Sequence, residues 1–363
     1  MVIGGIGPTT GAAADYGINV RNGAMLAIKE INAAGGVNGI TLELAFEDDE
    51  HDAEKAVNAY NSLKDKNMKA LVGAVTSKPC IAVSAEANKD NMFLLTPSGS
   101  AVECTSGKDN AFRLCFNDPN QGSASAKYIK ENNMAEKVAV IYNSSDPYSS
   151  GIYDTFKTEA DSQGLEIVSA EAFTDDSSTD FSVQLQKIKQ SGAELVFLPI
   201  YYEAAALILN QANVSGLDVA WFGCDGLDGI IPQLGDNASL AEGVMLLTPF
   251  VADATDDMTQ KFVNAYKSEY GSTPTQFAAD GYDCIYTIKL ALEQQNISDV
   301  ANMSASDLCN KLKVAMVEIE LTGLTGTITW DSDGEPSKDA KAMKIVQNGV
   351  DEDGKPVYTY SAM

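Results

Sequence analysis

His51 is the only histidine in the 363-residue chain, and this limits the catalytic chemistry that the sequence can carry. A Ser/His or Cys/His nucleophilic site needs an imidazole as its general base, so it would have to use His51. That residue lies inside the acidic run 47–52, which is a poor environment for a catalytic base. The run also lacks the oxygen-ligand and glycine spacing of a calcium loop, and it is typical of a strand end followed by a helix cap. We therefore predict no catalytic residue and no metal site.

The glycine-rich opening 4–11 and the six cysteines are the other candidates for chemistry. Thr10 stands where a GxGxxG motif needs its last glycine, and Pro8 lacks a backbone donor, so a dinucleotide site is not expected. No phosphate-binding GxxxxGK[ST] or nucleophile GxSxG motif occurs elsewhere. The cysteines show neither CxxC nor zinc spacing. Cys104 and Cys115 flank a short loop, and they are either a local disulfide or two buried thiols. No cofactor is predicted.

Short β-branched apolar runs alternate with helical patterns along the whole chain, which is typical of parallel sheets built from βαβ units. We therefore predict an α/β fold, with helices filling the gaps between strands. A serial α/β chain binds its ligand at the carboxyl ends of its strands, so functional residues should directly follow strands. The predicted strands are 2–5, 41–46, 70–75, 92–96, 138–142, 165–170, 195–200, 219–223, 244–248, 326–330 and 343–346.

Length and charge restrict the class of protein further. A chain of this size exceeds the usual single hydrophobic core, so two domains are expected. The 25 basic and 51 acidic residues give a net charge of −26, which repels nucleic acid and anionic lipid. No apolar run reaches the length of a membrane span. The chain opens directly on a strand-like segment, so we expect any export signal to have been removed.

A set of short motifs then occurs in a fixed order along nearly the whole chain. They are Gly7-Pro8-Thr9-Thr10-Gly11, Asn22-Gly23-Ala24, residues 30–39, Glu47-Asp48-Asp49, Gly73-Ala74-Val75-Thr76-Ser77, Thr96-Pro97-Ser98-Gly99-Ser100, Phe112-Arg113, Asp118 with Gln121-Gly122, Asp180-Phe181-Ser182, residues 201–205 and Gly281-Tyr282-Asp283. Together they resemble the branched-chain amino-acid (Leu/Ile/Val) binding proteins of ABC importers. That family has the two-lobed type I periplasmic-binding fold, with a mainly parallel sheet and flanking helices in each lobe.

The resemblance implies a site that holds an amino acid by its zwitterionic head. The serine that binds the carboxylate from the first lobe corresponds to Ser77, and the family's small-small-Thr turn corresponds to Ser98, Gly99 and Ser100. Hydroxyl groups and amides at a helix start are good donors for a carboxylate. Taken by themselves, serines in these places are explained equally well as helix caps.

The resemblance assigns the ammonium group of the ligand to Asp225 in the second lobe. A carboxylate there would neutralise a buried cation that cannot be left unpaired. The cleft tyrosines correspond to Tyr148 and Tyr201, and an aromatic residue of the first lobe corresponds to Tyr16. A tyrosine offers both a ring face and a hydroxyl to a ligand with one apolar and one charged end. Without the resemblance, Asp225 would be interpreted as a turn residue and the tyrosines as core.

Some positions depart from the family pattern. Lys78 follows Ser77 where small or polar residues are usual; it either faces the cleft and favours a polar ligand, or it is an exposed surface lysine. The family's frequent disulfide positions are occupied by His51 and Thr76. The positions that line the family's side-chain pocket correspond to Val75 and Phe277. Because both residues are apolar, they favour a branched-chain ligand over a polar one.

The resemblance also implies the domain organisation. The first lobe is expected at 1–117 plus 250–326, and the second at 118–249 plus 327–363. Three crossovers are expected, near 116–119, 248–251 and 326–330. Ligand binding would close the two lobes about these hinges.

The resulting hypothesis is a monomeric, extracytoplasmic, non-enzymatic solute-binding protein that delivers a branched-chain or other aliphatic amino acid to a membrane permease. The alternative is a sensory module of the same fold that binds another small polar or amino-acid-like solute and feeds a receptor. A repressor core is disfavoured because such proteins carry an N-terminal helix-turn-helix and this acidic chain starts on a strand. An enzyme would need residues that the sequence does not offer.

Overall fold

Strands and helices alternate along the residues that the computed structural model describes, which are 1–174, 178–338, 341–351 and 354–362. The strands are β1 (Val2–Gly7), β2 (Glu43–Asp48), β3 (Ala70–Gly73), β4 (Leu94–Thr96), β5 (Ala111–Arg113), β6 (Lys137–Asn143), β7 (Glu166–Phe173), β8 (Leu195–Leu198), β9 (Ala220–Gly223), β10 (Met245–Thr248), β11 (Leu321–Gly323), β12 (Gly326–Ile328), β13 (Lys341–Val350) and β14 (Pro356–Ala362). The helices are α1 (Ala14–Ala33), α2 (Ala53–Asp65), α3 (Ser77–Asp90), α4 (Asp118–Glu131), α5 (Pro147–Gln163), α6 (Ser182–Ser191), α7 (Tyr202–Ser215), α8 (Ile230–Gln233), α9 (Asp257–Tyr270), α10 (Gln276–Gln294) and α11 (Ala305–Met316).

Two sheets organise the chain. One has five parallel strands in the order β2-β1-β3-β4-β5. The other has seven strands in the order β14-β13-β10-β9-β8-β6-β7, of which β6 to β10 pair in parallel while β13 and β14 join antiparallel. Strands β11 and β12 form a separate antiparallel hairpin. The predicted α/β fold with mainly parallel sheets is confirmed.

Helix ends follow the local signals of the sequence. Asp52 caps α2, where its carboxylate accepts a hydrogen bond from the Lys55 amide at 2.9 Å. Helix α1 ends before Gly35 and Gly36, which have φ values of +105° and +77°. Such left-handed backbone favours glycine, so the pair stops the helix where the sequence predicts it.

The described chain divides into two compact units. Unit 1 contains Met1–Asn117 and Ala254–Asp339, and unit 2 contains Asp118–Asp253 and Ala340–Met363. The third passage between units therefore comes later than the predicted crossover at 326–330. Residues 326–328 instead form an arm of the β11–β12 hairpin, and Trp330, two residues further on, donates from Nε1 to the Arg113 carbonyl oxygen at 2.7 Å. Residues 327–338, which the sequence analysis placed in the second lobe, consequently lie in unit 1.

Three strands were not predicted, namely β5, β11 and β14.

Among the described residues, no helix combines the length and apolar character needed to cross a membrane. All six cysteines are buried thiols, so the disulfide alternative for Cys104 and Cys115 is wrong. The Cys104 Sγ instead lies 3.7 Å from the Ser77 carbonyl oxygen.

Candidate functional site

Ser77 lies at the carboxyl edge of the unit 1 sheet, as the first residue of α3 after β3. Its Oγ accepts hydrogen bonds from the amides of Ser100 and Ala101 at 3.2 and 3.1 Å. Both amides belong to the segment after β4, so the hydroxyl joins the ends of two neighbouring strands. Because Ser77 Oγ accepts from two amides, its own proton can be donated to an anion.

The turn 98–100 follows β4 and is buried. Ser98 donates its hydroxyl to the Val75 carbonyl oxygen at 2.6 Å, so this side chain binds the protein backbone. The Gly99 amide donates to Thr96 Oγ1 at 2.8 Å, and a Cβ atom at Gly99 would lie 2.8 Å from Cys80 Sγ. Only glycine therefore fits without rearrangement. Ser98 and Gly99 shape the turn.

Ser100 is the second hydroxyl of this turn that can serve a ligand. Its side chain is fully buried, and its Oγ has no hydrogen-bond partner within the described part of the chain. A buried hydroxyl without a partner is costly, and an anion bound beside it would remove that cost. Ser77 and Ser100 thus form a pair of donors, joined by the hydrogen bond from the Ser100 amide to Ser77 Oγ. We call Ser77, Ser98, Gly99 and Ser100 the serine cluster.

Two features that depart from the family pattern lie beside the serine cluster, namely the His51–Thr76 pair and Lys78. His51 Nδ1 lies 2.8 Å from Thr76 Oγ1, so a side-chain hydrogen bond joins the two positions where the family often has a disulfide. Thr76 is the N-cap residue of α3, directly before Ser77. Lys78 is exposed, as in the second of its two interpretations.

Tyr16 and Phe277 form an aromatic contact in unit 1. Their ring centroids are 4.6 Å apart, with 56° between the ring planes, and both side chains are buried. Tyr16 lies on α1 and Phe277 on α10, and these helices pack closely at Gly23, where a Cβ atom would lie 1.8 Å from the Ala278 carbonyl oxygen. The close packing of the helices explains why the two rings meet.

The unit 2 candidates cluster at the carboxyl edge of its sheet. Asp225 follows β9, and its Oδ1 accepts a hydrogen bond from the Tyr148 hydroxyl at 2.8 Å. That hydroxyl oxygen in turn accepts from the Gly226 amide at 2.9 Å. The Tyr148 and Tyr201 rings stack, with centroids 4.8 Å apart and 8° between their planes. The structure therefore brings together all three predicted residues of this unit, which we call the aspartate cluster.

Burial dominates the electrostatics of Asp225. The side chain is 4% exposed, and desolvation raises its pKa from 3.8 to about 6. The Asp228 charge raises this pKa further. The Tyr148 hydroxyl, which donates to this carboxylate, opposes the rise most, and the nearby polar groups of Gln121 and Gly226 oppose it as well. Near neutral pH the carboxylate is ionised at a cost, and a bound cation would offset that cost.

Gln121 is a contact that the sequence analysis missed. Its Oε1 accepts the Asp225 amide at 3.2 Å, and its side chain is fully buried on α4. The motif that contains Gln121 was noticed only as part of the resemblance. A buried amide at the start of a helix was the available signal, because such a group must be hydrogen-bonded.

The chemistry of the two clusters differs in sign. The serine cluster offers hydroxyl donors suited to an anion, and the aspartate cluster offers a buried carboxylate suited to a cation. In the described residues, no group of three or more His, Cys, Asp or Glu side chains is arranged to hold a metal ion.

Known proteins match this chain over almost its full length. The family model described as "Periplasmic binding protein" matches residues 1–353. The Leu/Ile/Val-binding protein homolog 3 of Brucella melitensis is 28% identical over 93% of this chain and 89% of its own length. The leucine-, isoleucine-, valine-, threonine-, and alanine-binding protein of Pseudomonas aeruginosa is 28% identical over 91% of this chain and 85% of its own.

A solved structure also matches this chain over its full length. The branched-chain amino acid transporter substrate binding protein of Streptococcus pneumoniae, solved in complex with isoleucine, superposes with a TM-score of 0.85. It is 28% identical, and the match covers 100% of this chain and 99% of that chain.

Proposed function

Because the chain belongs to the periplasmic binding protein family, we propose that it is a solute-binding protein for an amino acid, with a branched-chain or other aliphatic one favoured. The observation that carries the amino-acid assignment is the buried carboxylate of Asp225, whose pKa is raised to about 6 by desolvation. A buried anion on a tyrosine hydroxyl is a site for an ammonium group. The serine cluster supplies the complementary site for a carboxylate.

The proposed contacts divide the ligand into three parts. Its carboxylate accepts from the hydroxyls of Ser77 and Ser100, in a turn that Ser98 and Gly99 shape. Its ammonium group donates to Asp225, which also accepts a hydrogen bond from the Tyr148 hydroxyl. An anion and a cation on one small molecule match this pair of sites.

The side chain of the ligand is assigned to apolar and aromatic surface. Val75 and Phe277 are buried, and Tyr16 packs on Phe277. Tyr201 covers the ring of Tyr148 in the aspartate cluster. Aliphatic groups gain about 25 cal/mol for each square ångström removed from water, so such surface selects branched chains.

The mechanism that we propose is ligand-dependent closure. The ligand binds one unit, and the other unit closes on it about the three passages of the chain near residues 117, 253 and 339. A membrane permease recognises the closed form outside the cytoplasm, and the protein acts as a monomer without changing the ligand. Only a ligand that contacts both units favours the closed state.

Isothermal titration calorimetry on the unfolded, dialysed and refolded protein tests this proposal, because that treatment removes co-purified ligand. The titrants are the standard L-amino acids at pH 7.5. Leucine, isoleucine or valine should bind most tightly, and the ligand should be recovered unchanged. Absence of heat with every amino acid, or turnover of the bound one, would contradict the proposal.

A further inference from the structure

Arg113 is a fully buried cation behind the serine cluster. It is the last residue of β5, and its side chain is 0% exposed. Nη1 donates to the carbonyl oxygens of Gly99 and Ser100 at 3.1 and 2.6 Å, and Nη2 donates to that of Ala101 at 3.1 Å. One guanidinium group therefore holds three successive carbonyl groups of the segment that follows β4.

Two of these carbonyl groups share a peptide unit with an amide that binds Ser77. The Gly99 carbonyl and the Ser100 amide form one unit, and the Ser100 carbonyl and the Ala101 amide form the next. In a trans peptide the C=O and N–H bonds point in opposite directions. Because Arg113 fixes the two carbonyls, the two amides must point the other way, where Ser77 Oγ accepts them at 3.2 and 3.1 Å.

The result is a continuous chain of hydrogen bonds from the guanidinium group to the Ser77 hydroxyl. A cation on the carbonyl oxygen polarises the peptide unit and makes its N–H a stronger donor. Two such amides on Ser77 Oγ occupy its acceptor positions and make its proton more acidic. The hydroxyl is thus prepared to donate to a carboxylate, even though Arg113 itself is buried behind the turn.

Glu335 and Thr105 orient the guanidinium group. Glu335 Oε1 accepts from Arg113 Nε at 2.8 Å and from the Thr105 hydroxyl at 2.8 Å. Thr105 Oγ1 accepts from Arg113 Nη2 at 2.7 Å. A planar guanidinium fork suits this set of acceptors, whereas a lysine ammonium group has only three donors.

We propose that Arg113 is a positioning residue for carboxylate recognition, acting on Ser77 through the peptide units 99–100 and 100–101. The proposal rests on the proposed function, since it assumes a ligand carboxylate at Ser77. Glu335 and Thr105 support it by fixing the guanidinium plane.

The test compares L-leucine with L-leucinol, which has an alcohol in place of the carboxylate. Calorimetric competition measures both dissociation constants for the full chain, its Arg113→Lys variant and a matched Arg21→Lys control. Arg21 lies on α1 of the same unit, where its guanidinium group donates to the neighbouring Asn22 side chain. Arg113→Lys should weaken leucine binding about tenfold and leucinol binding less than about threefold. Arg21→Lys should change neither constant.

Thr105→Val is the milder second variant, in case Arg113→Lys does not fold. It removes one bond to Arg113 and one to Glu335 at nearly constant volume, and it should weaken leucine binding about threefold with less effect on leucinol. Equal weakening of both ligands by a folded variant would mean general destabilisation and would overturn the inference. Unchanged leucine binding would overturn it as well. If the unmodified protein binds no amino acid, the proposed function fails, and this inference fails with it.

Discussion

Replacing Asp225 with asparagine removes the buried charge that we assign to the ammonium group. The change keeps the shape of the side chain, and the Tyr148 hydroxyl can still donate to the remaining side-chain oxygen. We expect the variant to fold and to bind an aliphatic amino acid much more weakly than the unmodified protein at pH 7.5.

The size of this loss of affinity follows from the pKa of Asp225 in the ligand-free protein. Burial raises the pKa of Asp225 from 3.8 to about 6, so ionisation there is penalised by on the order of 3 kcal/mol. If the ammonium group offsets that penalty, it must favour the carboxylate over a neutral amide by a similar amount. A difference of this size weakens binding about 100-fold.

The pH dependence of binding gives the sharper test. A proton on Asp225 must leave before a cation can bind, so the dissociation constant should rise as pH falls below about 6. At pH 5 the unmodified protein should bind about tenfold more weakly than at pH 7.5, since one pH unit below the pKa leaves about a tenth of the sites ionised. Asp225→Asn should show an almost flat profile over the same interval.

Asp228→Asn is the comparison variant. The Asp228 charge raises the pKa of Asp225, so its removal should move the acid loss of binding to lower pH without abolishing affinity. Asp225 would not be the ammonium site if Asp225→Asn bound as tightly as the unmodified protein. Full pH dependence in that variant would contradict the assignment as well.

Three further outcomes are expected. Ser77→Ala should raise the dissociation constant for leucine about tenfold in calorimetry, because it removes a hydroxyl donor to the carboxylate; unchanged affinity would remove Ser77 from the site. Asp49→Asn should raise the free energy of unfolding in urea more at pH 8 than at pH 5. Desolvation raises the pKa of this buried carboxyl from 3.8 to about 7, so its ionisation opposes folding increasingly as pH rises from about 4 to 7. An equal effect at both pH values would contradict the shift. Trp330→Phe leaves Trp221 in unit 2 as the one tryptophan, and Trp221→Phe leaves Trp330 in unit 1. If the units unfold independently, ligand-free unfolding followed by fluorescence should give a different transition in each variant. A Trp330 signal that followed the transition of unit 2 would contradict the placement of Trp330 in unit 1.

Most of the fold follows from local signals in the sequence. Strands β3, β8 and β10 are buried and almost entirely apolar, and glycines or capping residues mark the neighbouring helix ends. Such signals depend on a few adjacent residues, so a single sequence is sufficient to find them. Two of the three unpredicted strands are too short to carry them: β5 is three residues long and ends in Arg113, and β11 is equally short.

The third passage between units was misplaced for a different reason. Its position depends on contacts between residues more than 200 positions apart, such as the bond from Trp330 to Arg113. No periodicity reports that contact. The resemblance supplied a crossover near 326–330, whereas the hairpin and the Glu335 pair keep the chain in unit 1 beyond it.

The sequence predicted which of these side chains lie near one another better than it predicted the direction of their hydroxyl groups. Ser77, Ser98 and Ser100 are adjacent, as the parallel-strand rule implies. The direction of each hydroxyl was not predictable, and Ser98 binds the Val75 carbonyl oxygen. Arg113 was visible only as part of a motif, because its proposed role depends on three carbonyl groups that its side chain reaches only after folding.

In the proposed site, Asp225 links the affinity of the protein to its stability. The folded pKa is above the ordinary value, so the folded protein binds the proton more tightly than the unfolded chain between pH 4 and 6. The free energy of unfolding without ligand therefore falls as pH rises through that interval, and ionised Asp225 opposes folding above it. A bound ammonium group reverses this effect by stabilising the charged form. The same carboxylate thus makes the empty site unfavourable and the occupied site favourable, so stability at neutral pH should depend on ligand more strongly in the unmodified protein than in Asp225→Asn.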